Sequence, residues 1–181
     1  MLFYQAPGES EFGQIAELGG VDHQILSHRH DADPSPELMK KAFGALIYTD
    51  TLESPAVSEV CRVDTAFDNT DGSIGNVDVL FTPGHTQGGI SCLYTSPSEE
   101  VYLFSGDTII PVRDQWISQI VPEHGGNATA LISSVHRLGE LSPDLVLCSA
   151  SVGDCNAVEV DCETWSRTVA EVAARSPVGS S

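Results

Sequence analysis

Three short segments of this 181-residue chain concentrate the side chains that can do chemistry. Ser27-His28-Arg29-His30-Asp31-Ala32-Asp33 carries a His-x-His pair followed by two carboxylates. In extended backbone, residues two apart point to the same side, so His28 and His30 can converge on one point. Thr82-Pro83-Gly84-His85-Thr86-Gln87-Gly88-Gly89 presents His85 on a rigid Pro-Gly turn between two threonines. Phe104-Ser105-Gly106-Asp107-Thr108 places a carboxylate at the end of an apolar run. Three imidazoles and one carboxylate suit a Zn²⁺ ion, or Fe or Mn, with an open position for water. Each segment alone has an ordinary reading: His-x-His is common on surfaces, and Asp107 can cap the turn that follows it. All three together, each following a strand, are much harder to obtain by accident.

The elements that must position these segments are legible from periodicity. Leu2 to Gln5 reads as a short strand. Glu9 to Leu18 reads as a helix with Phe12, Ile15, Ala16 and Leu18 available for a buried face, ended by Gly19-Gly20. Gln24 to Ser27 is a strand. Pro36 opens a helix through Ala42 that Gly44 terminates, and Ala45 to Tyr48 is a strand again. This β-α-β-α-β opening predicts a layered α/β structure. Val77 to Phe81, Ile90 to Tyr94 and Val101 to Phe104 follow as strands, the last two antiparallel neighbours. Ala128 to Leu141 is an amphipathic helix with Leu131, Ile132, Val135, Leu138 and Leu141 at helical spacing. Leu145 to Cys148 is a buried strand and Glu163 to Ala174 a last helix. One domain is expected over 1–175, with 176–181 a disordered tail.

Composition narrows the function. The 26 acidic against 8 basic residues leave a net charge of −18, which repels nucleic acid and anionic membranes and excludes both as partners. An acidic chain whose only lysines are Lys40 and Lys41 is what work in high salt requires; an ordinary acidic protein is the alternative. No apolar run approaches the roughly 20 residues of a membrane span, and the N-terminus has no signal-peptide pattern, so the expected location is the cytoplasm. Five cysteines, Cys61, Cys92, Cys148, Cys155 and Cys162, form an odd set without CxxC spacing. That argues against a disulfide framework or a zinc finger, and Cys61, Cys92 and Cys148 read as small buried residues. His23 and His136 read as surface residues.

Ser27-His28-Arg29-His30, Thr82-Pro83-Gly84-His85-Thr86-Gln87-Gly88 and Leu103-Phe104-Ser105-Gly106-Asp107-Thr108 together resemble the metallo-β-lactamase superfamily, over roughly Leu2 to Ser151. The resemblance implies a four-layered αβ/βα sandwich, shortened at the N-terminus. It implies His28, His30 and His85 as ligands of a first metal position, with Asp107 as a further, bridging ligand. It also implies hydrolysis of a small-molecule substrate, with ester, thioester and lactone chemistry among the family's reactions. In the family the first motif continues to an aspartate and a histidine, where this chain has Ala32 and Asp33, and Ala150 falls where the last histidine would. The first metal position is therefore complete while the second loses nearly everything. One ion is expected, Zn first and Fe or Mn next, with a metal-free relic and a two-metal centre as the alternatives. Proton transfer would fall to Asp107 or Asp33, and Asp31 or Asp33 can stand in as a ligand. His124 and Trp116 are candidate cleft residues, and Cys148 a buried thiol rather than a ligand. The rival function is a non-catalytic, metal-poor descendant that binds a ligand or a protein. The oligomeric state is left open, a homodimer included.

Overall fold

Parallel strands need a crossover between them, commonly a helix, and the first part of the chain alternates the two. The computed structural model describes residues 1–5, 8–150, 156–175 and 178–179, and the chain divides into units Met1–Asn69 and Thr70–Ser181. In the first unit, strands β1 (Leu2–Phe3), β2 (His23–Ile25), β3 (Leu46–Asp50) and β4 (Thr65–Phe67) alternate with helices α1 (Phe12–Glu17), α2 (Ser35–Phe43) and α3 (Ser54–Val57). The strands pair in chain order and all run parallel. The predicted β-α-β-α-β opening therefore holds. Gly44 closes α2 in the left-handed conformation (φ 74°), which costs glycine nothing sterically. Two apolar clusters hold the unit: Leu26, Ile47, Val57 and Cys61, and Val21, Met39 and Ala45 with Phe12 and Ile15 against them. Leu18, expected on the buried face of the first helix, lies beyond its end and is 88% exposed.

The second unit contains a six-stranded sheet. Its strands are β5 (Gly72–Ile74), β6 (Val77–Phe81), β7 (Ile90–Thr95), β8 (Val101–Gly106), β12 (Leu145–Cys148) and β13 (Ala157–Glu159). Between β8 and β12 come β9 (Ile110–Val112), β10 (Gln115–Ile117), β11 (Gln119–Ile120) and helix α4 (Ala128–Gly139); α5 (Cys162–Ala173) and β14 (Val178–Gly179) end the chain. The sheet order is β13-β12-β8-β7-β6-β5. All its pairs are antiparallel except β8–β12, the long connection that α4 occupies. The core packs Leu103 and Val146 of the sheet with Leu131, Val135 and Leu138 of α4 and Trp165, Val169 and Val172 of α5. Trp165 is fully buried, and its indole N–H donates to the Leu138 carbonyl at 2.9 Å, so its polar atom is satisfied. Asn127 and Asp161 cap α4 and α5 by accepting from Ala130 and Thr164 N–H groups.

The buried strand Leu145–Cys148 is followed by β13 at the sheet edge, a strand not expected from the sequence. Within the expected tail, residues 178–179 pair with β11, and 176–177 and 180–181 lie outside the described residues. Among the described residues, no helix is long and apolar enough to cross a membrane.

Candidate metal-ligand residues

The first histidine pair is built from a strand end and a turn. β2 leads into His28, whose backbone is extended (φ −164°, ψ 176°), and Arg29–Asp31 then tighten into a single 3₁₀ turn. The pair is thus not in continuous extended backbone, as its spacing suggests. The rings meet nonetheless, with centroids 4.9 Å apart at 83°; His28 is buried and His30 exposed.

The turn forms because Asp31 folds back on Ser27. The Asp31 carboxylate accepts from the Ser27 N–H at 2.7 Å and from its hydroxyl at 2.5 Å. The Ser27 oxygen also lies 3.0 Å from His28 Nδ1. A hydroxyl has one proton, and this one goes to Asp31, so the Ser27 oxygen accepts from Nδ1–H. That tautomer puts the lone pair on Nε2, the arrangement of a metal-ligating histidine with its other nitrogen held from behind.

Arg29 anchors the same turn. Its Nε lies 2.6 Å from Glu53 Oε2, which also accepts the Arg29 backbone N–H at 3.1 Å. Glu53 is fully buried, so the guanidinium compensates a charge that would otherwise be costly. Asp33 is tied to the start of α2, where one oxygen accepts from the N–H of Ser35 (2.7 Å) and from its hydroxyl. Both carboxylates expected as substitute ligands or proton carriers are thus engaged locally, Asp31 behind His28 and Asp33 at a helix start.

The His85 turn depends on Gly84. Its φ is +132°, and a Cβ there would lie 2.2 Å from Leu131 N. This close approach lets α4 brace the loop. Ser134 Oγ donates to the Pro83 carbonyl at 2.7 Å, Asn127 N–H to that of Gly84 at 2.9 Å, and Val121 N–H to that of His85 at 2.9 Å. His85 Nδ1 lies 2.8 Å from the Gln119 carbonyl oxygen. A carbonyl only accepts, so Nδ1 carries a proton, and in the neutral imidazole the lone pair is then on Nε2.

Asp107 follows β8 directly after Gly106, which adopts a left-handed φ of 57°. Its Oδ2 lies 3.6 Å from His85 Nε2. That is long for a hydrogen bond, yet close to the roughly 3.4 Å that separates two donors bound about 2.1 Å from a tetrahedral ion. The donor set and its spacing fit a metal ion.

The remaining candidates are placed elsewhere. His23, expected at the surface, is half-buried in β2 with Nδ1 3.1 Å from the Tyr48 hydroxyl. Trp116 stands edge-on to Trp165 and packs on the core. The His124 carbonyl accepts from Gln87 N–H at 3.1 Å, beside the His85 turn. His136 is exposed on α4. Cys61, Cys92 and Cys148 are buried thiols, as read from their apolar surroundings; Cys155 lies outside the described residues. Burial pushes the Cys148 thiol up to about 12, despite a hydrogen bond from Ser105. It stays protonated and is a poor ligand. Sequence reasoning missed Gln119, whose contribution is a backbone atom that no side-chain motif advertises.

No family model matches the chain. The chain is 31% identical over 134 residues to the probable polyketide biosynthesis zinc-dependent hydrolase PksB of Bacillus subtilis (strain 168), covering 71% of this chain and 54% of that protein. It is 33% identical over 90 residues to the hydroxyacylglutathione hydrolase of Brucella ovis, covering 49% of this chain and 34% of that protein. The chain thus spans between about a third and a half of these relatives. Among solved structures, ETHE1 from Myxococcus xanthus matches 93% of this chain and 70% of its own, with a TM-score of 0.64 at 23% identity. The di-iron-bound form of TTHA1623 matches 92% of this chain and 86% of its own, with a TM-score of 0.68 at 19% identity. A B3 metallo-β-lactamase with an active-site glutamic acid matches 95% of this chain and 77% of its own, with a TM-score of 0.62 at 14% identity.

Proposed function

The chain is a metallo-β-lactamase-fold protein, and on that premise we propose that residues 1–175 act as one domain, a metal-dependent hydrolase whose single ion is held by His28, His30, His85 and Asp107. The observation that carries this reading is the His85–Asp107 pair. Its two donor atoms are spaced as two corners of one coordination sphere, with the imidazole tautomer set by Gln119. His28 and His30 supply the second pair, and Ser27 sets the same tautomer at His28. Zinc is the first choice, given the named zinc dependence of PksB, and the di-iron form of a structural neighbour keeps iron as the second.

When bound, the ion supplies Lewis acidity that polarises a substrate carbonyl and lowers the pKa of bound water toward roughly 7. The residues of the chain do the rest. Ser27 and Gln119 hold protons on the outer ring nitrogens, so both imidazoles present Nε2. Ala32 carries no acid, so proton transfer falls to the carboxylates that remain, Asp107 next to His85 and Asp33, one oxygen of which accepts from Ser35. The proposed substrate is a small ester, thioester or lactone; support comes from the acyl–sulfur bond that the name hydroxyacylglutathione denotes.

The non-catalytic reading keeps one specific observation in its favour: Ala32 and Ala150 carry no donor atom. Metal content separates the two. Protein purified without a histidine tag should contain about one equivalent of Zn, Fe or Mn by mass spectrometry, lost in His28→Ala or His85→Ala, because each change leaves three of the four protein donors, too few for a closed site. Wild type that is metal-free after growth in supplemented medium overturns the hydrolase reading.

A further inference from the structure

Strands β8 and β12 run parallel in register from Leu145↔Tyr102 to Leu147↔Phe104, and then the pairing slips, so that Cys148 lies opposite Gly106. Ser105 is passed over. Its side chain is fully buried, and its hydroxyl reaches the Ile109 carbonyl at 3.1 Å and the Cys148 sulfur at 3.2 Å. An irregularity of this kind re-aims the residues that follow it. In unbroken register Ser149 would stand opposite Gly106; after the slip it reaches Asp107. Ser149 N–H donates to the Gly106 carbonyl at 3.3 Å, and Ser149 Oγ donates to Asp107 Oδ1 at 2.5 Å.

The two oxygens of Asp107 are thereby differentiated. Oδ1 accepts the hydrogen bond from the Ser149 hydroxyl, while Oδ2 lies 3.6 Å from His85 Nε2. A hydroxyl bonded to a carboxylate is a short, charge-assisted contact, roughly twice as strong as a neutral one, and the Asp107 side chain is only 14% exposed. We propose that Ser149 is a positioning residue of the metal centre, holding Asp107 so that it offers one oxygen to the ion that His85 binds. This rests on the metal reading above and specifies how one of its ligands is oriented.

The test uses the full chain with Ser149→Ala and Ser149→Thr. Zinc affinity is read by competition with a chromogenic chelator, cobalt coordination by the visible spectrum, and folding by the melting temperature of the metal-free protein. Ser149→Ala should bind zinc about 10- to 100-fold more weakly and change the cobalt band, because Asp107 can then turn and bind through both oxygens. Its metal-free melting temperature should stay near wild type, and Ser149→Thr should restore affinity and spectrum. Equal affinity and spectrum in wild type and Ser149→Ala overturn the role of Ser149 and leave the metal centre standing. A folded Ser149→Thr as weak as Ser149→Ala also overturns it, since the hydroxyl is then not the cause. Wild type that binds neither zinc nor cobalt overturns both.

Discussion

A partner for the outer N–H of an imidazole fixes which nitrogen faces a metal, and here that task is divided between unlike partners. Behind His28 stands a side-chain relay, Asp31 to Ser27 to Nδ1. Behind His85 stands a main-chain oxygen, that of Gln119. The nearby thiols are removed from the chemistry by burial. Burial, with the Glu37 and Asp33 carboxylates adding to it, raises Cys61 to about 11; burial raises Cys148 to about 12. At pH 8 neither is a thiolate, and the thiolate is the nucleophile. Iodoacetamide on the native protein, followed by peptide mass spectrometry, should modify exposed Cys162 and leave Cys61 and Cys148 unmodified until denaturant is added. Native labelling of Cys148 would show that its surroundings open to solvent.

At the scale of elements, each proposed ligand sits where a strand ends and is braced by an element distant in sequence. The His28 turn is pinned through Arg29 to Glu53, at the N-terminal end of α3. The His85 turn is pinned by α4, and Gly84 makes that contact possible. Gly84→Ala would combine an unfavourable positive φ with a methyl group 2.2 Å from backbone nitrogen. Each effect costs on the order of 1–3 kcal/mol. The variant should therefore lose at least about 2 kcal/mol in urea unfolding, and Gly75→Ala, with φ 60° but no atom within 4 Å, should lose less. Equal losses would mean that backbone conformation, not the approach of α4, decides the cost.

At the scale of the whole molecule, charge dominates. Among the described residues Arg29, Lys40, Arg137 and Arg175 are already paired with Glu53, Asp64, Asp71 and Glu171. Half of the 8 basic side chains are thus committed, against 26 acidic ones, and the surplus repels itself unless ions screen it. If the composition is an adaptation to brine, the melting temperature should keep rising between about 0.2 M and about 2 M KCl, beyond the range where the Debye length changes most. A profile that is flat above about 0.2 M leaves generic screening as the only effect.

The three motifs were legible because each is local: a histidine spacing, a Pro-Gly turn and a strand-terminal carboxylate occupy a few consecutive residues. α4 was legible for the same reason, since a 3.6-residue period over Ala128–Gly139 needs no knowledge of its partner. Periodicity names an apolar face but not whether anything covers it, which is why Leu18 was expected inside and lies in solvent. Strands as short as β9, β10 and β13 carry too few residues to show a period and form only because a neighbour pairs with them. What only the tertiary structure decided is which atoms stand behind the proposed ligands. The Gln119 carbonyl reaches His85 through the course of the chain between β10 and α4. Ser149 reaches Asp107 through one slipped register between β8 and β12. Both are contacts between segments far apart in sequence, and no spacing along the chain encodes them.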